Sequence, residues 1–274
     1  MSLFNLHTHT HYCDGAEPPE AYIRQALDMG FDLLGFSGHA PVPFENRFAI
    51  PDDRFPDYIN ELRNLRDRYK EQIRILIAVE ADYIPGITRD FDYFREAGRL
   101  DYVIGGVHLI NRQGTEGLWF IDGPRRESYD EGLMKLFNGN ARRGVEAYYH
   151  HLMEMVATQH PDIIAHFDKI KMHNQERFFS EEEGWYRDLV WKALKFIAGE
   201  SNAVIEVNTR GIYKKRCDDF FPSPWILEQV HHLGIPVTVS TDAHRPEELN
   251  LFRDEALALL RDIGFRDIWR PEVH

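Results

Sequence analysis

The sequence predicts an α/β barrel with a metal site at the C-terminal ends of its strands. Three observations support this. Seven short apolar runs of strand length alternate with longer amphipathic stretches. Histidine and carboxylate residues sit just after six of those runs, where one edge of a parallel sheet would present them together. The chain has 274 residues, 43% of them hydrophobic, a length that α/β barrels use for a single core.

In chain order, residues 3–6 form the first expected strand. Residues 18–29 read as a helix, because Pro18 and Pro19 suit a first turn and Gly30 suits an end. Strand 33–37 follows, then helix 55–72, with Tyr58, Ile59, Leu62, Leu65 and Tyr69 spaced three and four apart. Strand 73–79, a short helix 91–97 and strand 102–107 come next. Residues 125–159 hold one or two helices, with a break expected near Gly139 or Gly144. Strand 162–165 precedes a helix opened by Ser180 and running to about residue 197. Its first turn would hold Glu181, Glu182 and Glu183, where the helix dipole favours negative charge. Strand 203–207, helix 224–233, strand 235–240 and helix 247–263 close the series.

This alternation implies right-handed crossovers and a parallel sheet, and seven strands imply a barrel with one unit missing or irregular. Segments 41–53 and 109–124 follow ligand-bearing strands and read as active-site loops. With no linker, repeat or low-complexity segment in sight, residues 1–274 are expected to form one domain.

The formal charge of −13 argues against broad binding to nucleic acid or to anionic membrane. Two cysteines, Cys13 and Cys217, make no disulfide framework and point to a reducing compartment. The first residues lack a cationic segment followed by a long apolar stretch, and no run reaches membrane-spanning length. A cytoplasmic protein acting on a small molecule is the expectation, with no feature that sets its oligomeric state.

In Leu6-His7-Thr8-His9 the two histidines share one side of an extended chain, and Asp14 reaches the same pocket from the following loop. His39, His108 and His166 each follow a strand. Alone, each would read as a hydrogen-bonded core histidine; their repetition at successive strand ends decides otherwise. Glu80 ends a wholly apolar run, where a carboxylate is costly unless it is paired or metal-bound. Asp242 and His244 repeat the alternate spacing of the first motif. Glu80, Asp242 and His244 are expected to act on the reacting group as well as on metal. Nine candidate ligands suit two or three divalent ions, and mixed nitrogen and oxygen donors favour Zn, Mn or Fe. Such a centre would attract a phosphate, stabilise its transition state and provide a bridging hydroxide as the attacking group. His11 lies close enough to support the ligands, and Cys13, with no evident base, reads as a small residue beside them. His150 and His151 belong to a helical stretch, in solvent or groove positions.

The set resembles the PHP (polymerase and histidinol phosphatase) superfamily. The matching motifs are His7-Thr8-His9-Thr10 with Asp14-Gly15, Gly38-His39-Ala40-Pro41, Glu80, Gly106-Val107-His108, His166-Phe167-Asp168 and Thr241-Asp242-Ala243-His244. Trp119-Phe120-Ile121-Asp122, Val207-Asn208-Thr209-Arg210-Gly211 and Pro222-Ser223-Pro224 make it most similar to the monofunctional histidinol-phosphate phosphatases. That resemblance implies a distorted (β/α)7 TIM-like barrel with a trinuclear centre that cleaves L-histidinol phosphate to histidinol and phosphate in histidine biosynthesis. Arg210, Lys171 or Lys214 would anchor the phosphate, and Asp122 or Glu45 would meet the substrate amine. The chain departs from the family in a longer 109–118 connection and in Gly211-Ile212-Tyr213-Lys214 after the Asn-Thr motif. Rival readings are another small phosphoester such as a nucleotide or sugar phosphate, metal-dependent C–N hydrolysis, and a non-catalytic module. The C–N hydrolases use a bridging lysine that no strand end here offers, and a non-catalytic module would lack ligands.

Overall fold

The structure, a computed structural model, describes residues 3–112 and 114–271; residues 1, 2, 113 and 272–274, which the expected domain 1–274 includes, lie outside the described residues. In chain order the elements are β1 (Leu3–Asn5), α1 (Pro19–Asp28), β2 (Phe31–Phe36), α2 (Phe55–Tyr69), β3 (Arg74–Asp82), α3 (Phe91–Gly98) and β4 (Tyr102–Gly106). A hairpin of β5 (Leu109–Arg112) and β6 (Thr115–Phe120) follows, then α4 (Arg126–Phe137), α5 (Ala141–Gln159) and β7 (Ile163–Ile164). The chain continues through α6 (Gly184–Glu200), β8 (Val204–Asn208), α7 (Arg210–Tyr213), α8 (Pro224–His232), β9 (Val237–Ser240) and α9 (Arg253–Ile263).

Seven parallel strands in the order β1-β2-β3-β4-β7-β8-β9 make a nearly closed barrel. Among the described residues the seam between β1 and β9 closes at the C-terminal end. There Thr8 bridges Ala243, the His9 N–H donates to Ala243 O (2.8 Å), and the Ala243 N–H donates to His7 O (3.1 Å). Asn5 secures the same seam, accepting from the Thr241 N–H (3.0 Å) and donating to His7 O (2.9 Å). At the other end Ile268 and Trp269 pack against the interior, and the Trp269 N–H donates to Val237 O (2.8 Å). Apolar residues form two cores. One lies between helices and strands, and a smaller one inside the barrel includes Phe4, Leu33, Leu76, Tyr102, Ile163 and Val204.

Some boundaries fall where expected and others do not. The break in residues 125–159 falls at Asn138 and Gly139, both left-handed (φ 53° and 73°), after which Asn140 caps α5 by accepting from the Arg143 N–H. Gly144 lies inside α5 for a packing reason. A Cβ there would come within 2.7 Å of the Trp119 ring, and one at Gly132 within 2.2 Å, so the two glycines cradle the buried indole. Ser180 opens a turn rather than a helix: its N–H donates to Glu183 Oε1, and α6 starts at Gly184. The expected helix 247–263 splits, because Phe252 takes a left-handed conformation (φ 58°) between a short 3-10 turn and α9. The expected loop 109–124 contains the β5–β6 hairpin, whereas 41–53 is largely irregular, as expected. Among the described residues no helix is long and apolar enough to cross a membrane.

Candidate metal centre

The nine residues singled out above all gather at the C-terminal end of the barrel. β3 runs further than expected, so Glu80 lies within it, and its side chain occupies the middle of the cluster. Glu80 Oε2 is 3.1 Å from His7 Nε2, 3.2 Å from His39 Nδ1 and 3.5 Å from His9 Nε2. Its Oε1 is 3.0 Å from His166 Nε2 and 3.2 Å from His108 Nε2, two nitrogens themselves 2.9 Å apart. Asp242 Oδ1 approaches His9 Nε2 (3.3 Å), His244 Nδ1 (3.4 Å) and His7 Nε2 (3.8 Å). Asp14, about a third exposed, closes the mouth against His244 Nε2 at 3.1 Å.

Local backbone features make this crowding possible. Asp242 (φ 52°) and His166 (φ 26°) both adopt left-handed conformations that L-residues rarely take. Gly106 leaves room at the floor, since a Cβ there would lie 2.8 Å from the His108 ring and 3.3 Å from Glu80 Oε1.

The donor set fits divalent ions. Among the described residues, the buried His7 Nε2, His9 Nε2 and His39 Nδ1 have no hydrogen-bond partner, although all three point at one carboxylate oxygen. One carboxylate oxygen offers about two lone pairs, too few to serve three imidazole N–H donors fully. Among the described residues, three overlapping groups have ligating atoms within 4.8 Å of one another: His9, Asp14, His39 and His244; His7, His9 and Asp242; His39, Glu80 and His108. Burial opposes charge on Glu80 and Asp242, yet the surrounding imidazoles, joined at Asp242 by the Arg210 guanidinium, outweigh it and hold both carboxyls well below the usual range. Burial also lowers His9 to about 3, reinforced by His244 and His39. His7 goes the other way: burial is outweighed by Glu206, Glu80 and Asp242, which raise it well above its ordinary value.

Two carboxylates missed in the sequence stand behind the ring of histidines. Glu206 Oε1 lies 2.6 Å from His7 Nδ1 and its Oε2 accepts from the His166 N–H; Asp82 Oδ1 lies 2.6 Å from His108 Nδ1. Each fixes the tautomer and aim of a histidine, as carboxylates do behind metal-bound imidazoles. The signal was available, since Glu206 interrupts an apolar strand just as Glu80 does and Asp82 shares the face of Glu80.

The cluster forms the floor of a cavity of about 620 Å³, within the range of small-molecule sites. Of the residues expected to contact substrate, Arg210, Asp122 and Glu45 line it. Lys171 and Lys214 are not among the lining residues. Lys171 is buried against Asp168 (2.8 Å), Ser223 and Phe220 O, while Lys214 is paired with Glu248. The cationic groups beside Arg210 are instead Lys169, whose Nζ is 3.6 Å from Asp122 Oδ2, and Arg216. His11 is exposed, its ring tilted at 48° against Tyr12; Cys13 Sγ lies 3.6 Å from His9 Nδ1, its thiol pushed up to about 12 by burial. His151 is buried in α5, away from this set.

Comparison with known proteins gives the same picture. The PHP domain model matches residues 5–210. A relative from Deinococcus radiodurans named probable histidinol-phosphatase is 27% identical over 97% of this chain and 95% of its own length. One of the same name from Schizosaccharomyces pombe is 27% identical over 91% of this chain and 82% of its own. A Listeria monocytogenes structure assigned as a histidinol phosphatase shares the fold at 21% identity, with a TM-score of 0.78 over 92% of this chain and 99% of that one. The Lactococcus lactis histidinol phosphate phosphatase, solved with zinc, L-histidinol and phosphate, aligns with a TM-score of 0.65 at 19% identity, over 97% of this chain and 95% of that one.

Proposed function

Since this chain belongs to the PHP domain family, we propose that it is a metal-dependent phosphomonoesterase that hydrolyses L-histidinol phosphate to L-histidinol and phosphate. The observation that carries this reading is the trio of unpartnered imidazole nitrogens around Glu80, at the floor of a cavity edged by Arg210 and Lys169. The resemblance to histidinol-phosphatases along nearly the whole chain supports the substrate.

His7, His9, Asp14, His39, Glu80, His108, His166, Asp242 and His244 would hold two or three divalent ions, with Zn, Mn and Fe suited to the donors. When bound, such ions supply Lewis acidity to phosphoryl oxygens and lower the pKa of water towards ~7. Glu206 and Asp82 keep His7 and His108 aimed at the floor. Arg210 lines the cavity and is anchored by its bond to Asp242 O (2.8 Å), so its charge is fixed before substrate arrives. Lys169 adds a second positive charge for the phosphate. Asp122, held ionised by His108 and Lys169 against its burial, and Glu45 at the rim offer negative charge to the substrate amine.

The 274 residues read as one barrel domain acting on a small molecule in the cytoplasm, in keeping with two free cysteines and a charge of −13. The test is phosphate release from L-histidinol phosphate beside nucleotide and sugar phosphates. Strong preference for the first is expected; equal turnover across the panel would keep the phosphoesterase and remove the biosynthetic role.

A further inference from the structure

The cavity has two unlike walls. One is ionic, with Arg210, Arg216 and Lys169, and the other is made by Phe44, Phe48, Leu109, Leu118 and Phe120. The apolar wall comes from two segments distant in sequence, the irregular 41–53 stretch and the β5–β6 hairpin. They meet where Phe48 and Phe120 lie 5.6 Å apart, centroid to centroid, with their rings tilted at 49°.

Both rings are held in advance. Phe48 stands edge-on to His39 at 5.3 Å, so its position is tied to the histidine cluster. Asn46 shapes the stretch around it: its Oδ1 accepts from the N–H groups of Phe48 (3.0 Å) and Ala49 (2.7 Å), and its Nδ2 donates to Phe44 O (3.0 Å). Phe120 pairs with Leu109 across the hairpin, and the next residue, Ile121, donates its N–H to His108 O. The hairpin is in turn seated by Trp119 between Gly132 and Gly144. All these residues are partly or fully buried, yet the faces of Phe48 and Phe120 remain part of the cavity surface.

Building on the phosphatase reading above, we infer that Phe48 and Phe120 are the specificity-determining residues for the leaving group. They select esters whose alcohol carries a flat, unsaturated ring. Glu45, Asn46 and Arg47 line the same cavity, but the two phenyl faces themselves offer a polyhydroxylated leaving group no hydrogen-bond partner for the water it gives up there, whereas an aromatic or imidazole ring packs on both. Asn46 is a positioning residue that acts through Phe48.

The experiment combines calorimetric binding of L-histidinol with steady-state kinetics on L-histidinol phosphate and glycerol phosphate. The proteins are the metal-reconstituted wild type, Phe48→Ala, Phe120→Ala and, as a conservative control for folding, Phe120→Leu. Each alanine variant is expected to weaken L-histidinol binding and raise KM for its phosphate by about tenfold. For Phe120→Ala, whose ring does not touch the histidine cluster among the ring contacts described, kcat should stay within about twofold and the constants for glycerol phosphate should not move, with Phe120→Leu in between; Phe48→Ala, which also removes the ring packed on His39, is read by L-histidinol binding. Unchanged L-histidinol affinity in both alanine variants, or equal losses on both esters, would overturn the inference. Because binding is read without turnover, ring-dependent binding with no phosphate release would sink the phosphatase reading alone, and turnover with ring-independent binding would sink this one alone.

Discussion

On β3, Leu76 and Ala78 face the barrel interior, and Glu80 and Asp82 continue the same face two and four residues further on. β8 repeats the pattern, with Val204 followed by Glu206 and Asn208. One surface of one strand therefore passes from hydrocarbon to carboxylate within two residues. Tyr102 marks the divide. Its ring spans the interior over Gly35, where a Cβ would clash with its hydroxyl, and that hydroxyl donates to Leu6 O at the opposite strand. Below it the barrel is plugged by Trp269 and closed by apolar packing. Above it, buried polar atoms outnumber the partners the chain itself provides. The same backbone thus separates two tasks: the N-terminal half supplies stability, and the C-terminal half accepts unfavourable burial in exchange for chemistry.

Substitutions at the two ends should therefore fail differently. The largest effect is expected at Glu80. Glu80→Ala should reduce phosphate release by about 1,000-fold or more while the protein stays folded by circular dichroism, since it removes the carboxylate shared by five histidines. Comparable activity in this variant would break the division between the ends. Leu76→Ala, at the other end, should cost about 3 kcal/mol in a denaturant titration with kcat within twofold of wild type. Behind the ligands, Glu206→Gln should weaken metal affinity by about 10- to 100-fold in a chelator competition, because His7 loses the group that orients it.

The smallest effect near neutral pH sharpens the contrast between buried histidines inside and outside the site. His151, buried in α5 beside His150, is lowered by burial from 6.5 to about 4. The unfolded chain binds this proton more readily than the folded one. Its contribution to stability is therefore intact above about pH 6.5, declines as pH falls through that value, and is lost near 4. The loss reaches about 3 kcal/mol only at about pH 4 and stays below about 1 kcal/mol near about pH 6. His151→Phe should flatten that part of a pH–stability profile measured by thermal melts and leave turnover at neutral pH unaltered. An unchanged acid limb would show that His151 is not the group responsible.

Much of the clustered end was legible because histidines and carboxylates at strand ends stand out against apolar runs. Positions 7, 9, 39, 80, 108, 166, 242 and 244 each follow or end such a run. What lies within strands was harder to read. In a strand buried on both faces the period-two signal vanishes, so Glu206 was passed over as part of a strand and the reach of β3 to Asp82 was not seen. The hairpin was hidden by Gly114 and Gly117, which resemble loop punctuation but here take the positive φ values (77° and 104°) of a turn and an irregular strand. Basic residues were the least readable. Lys171 and Lys169 are two apart after the same strand, and only the fold tells that the first is buried against Asp168 while the second lines the cavity.

The most direct test of the account is phosphate release from L-histidinol phosphate before chelation, after exhaustive chelation, and after add-back of Zn or Mn. Activity that disappears with the ions and returns with them is the predicted result, in step with metal content measured on the same samples. Turnover that persists in metal-free protein would contradict the claim that the C-terminal end of this barrel works through bound metal.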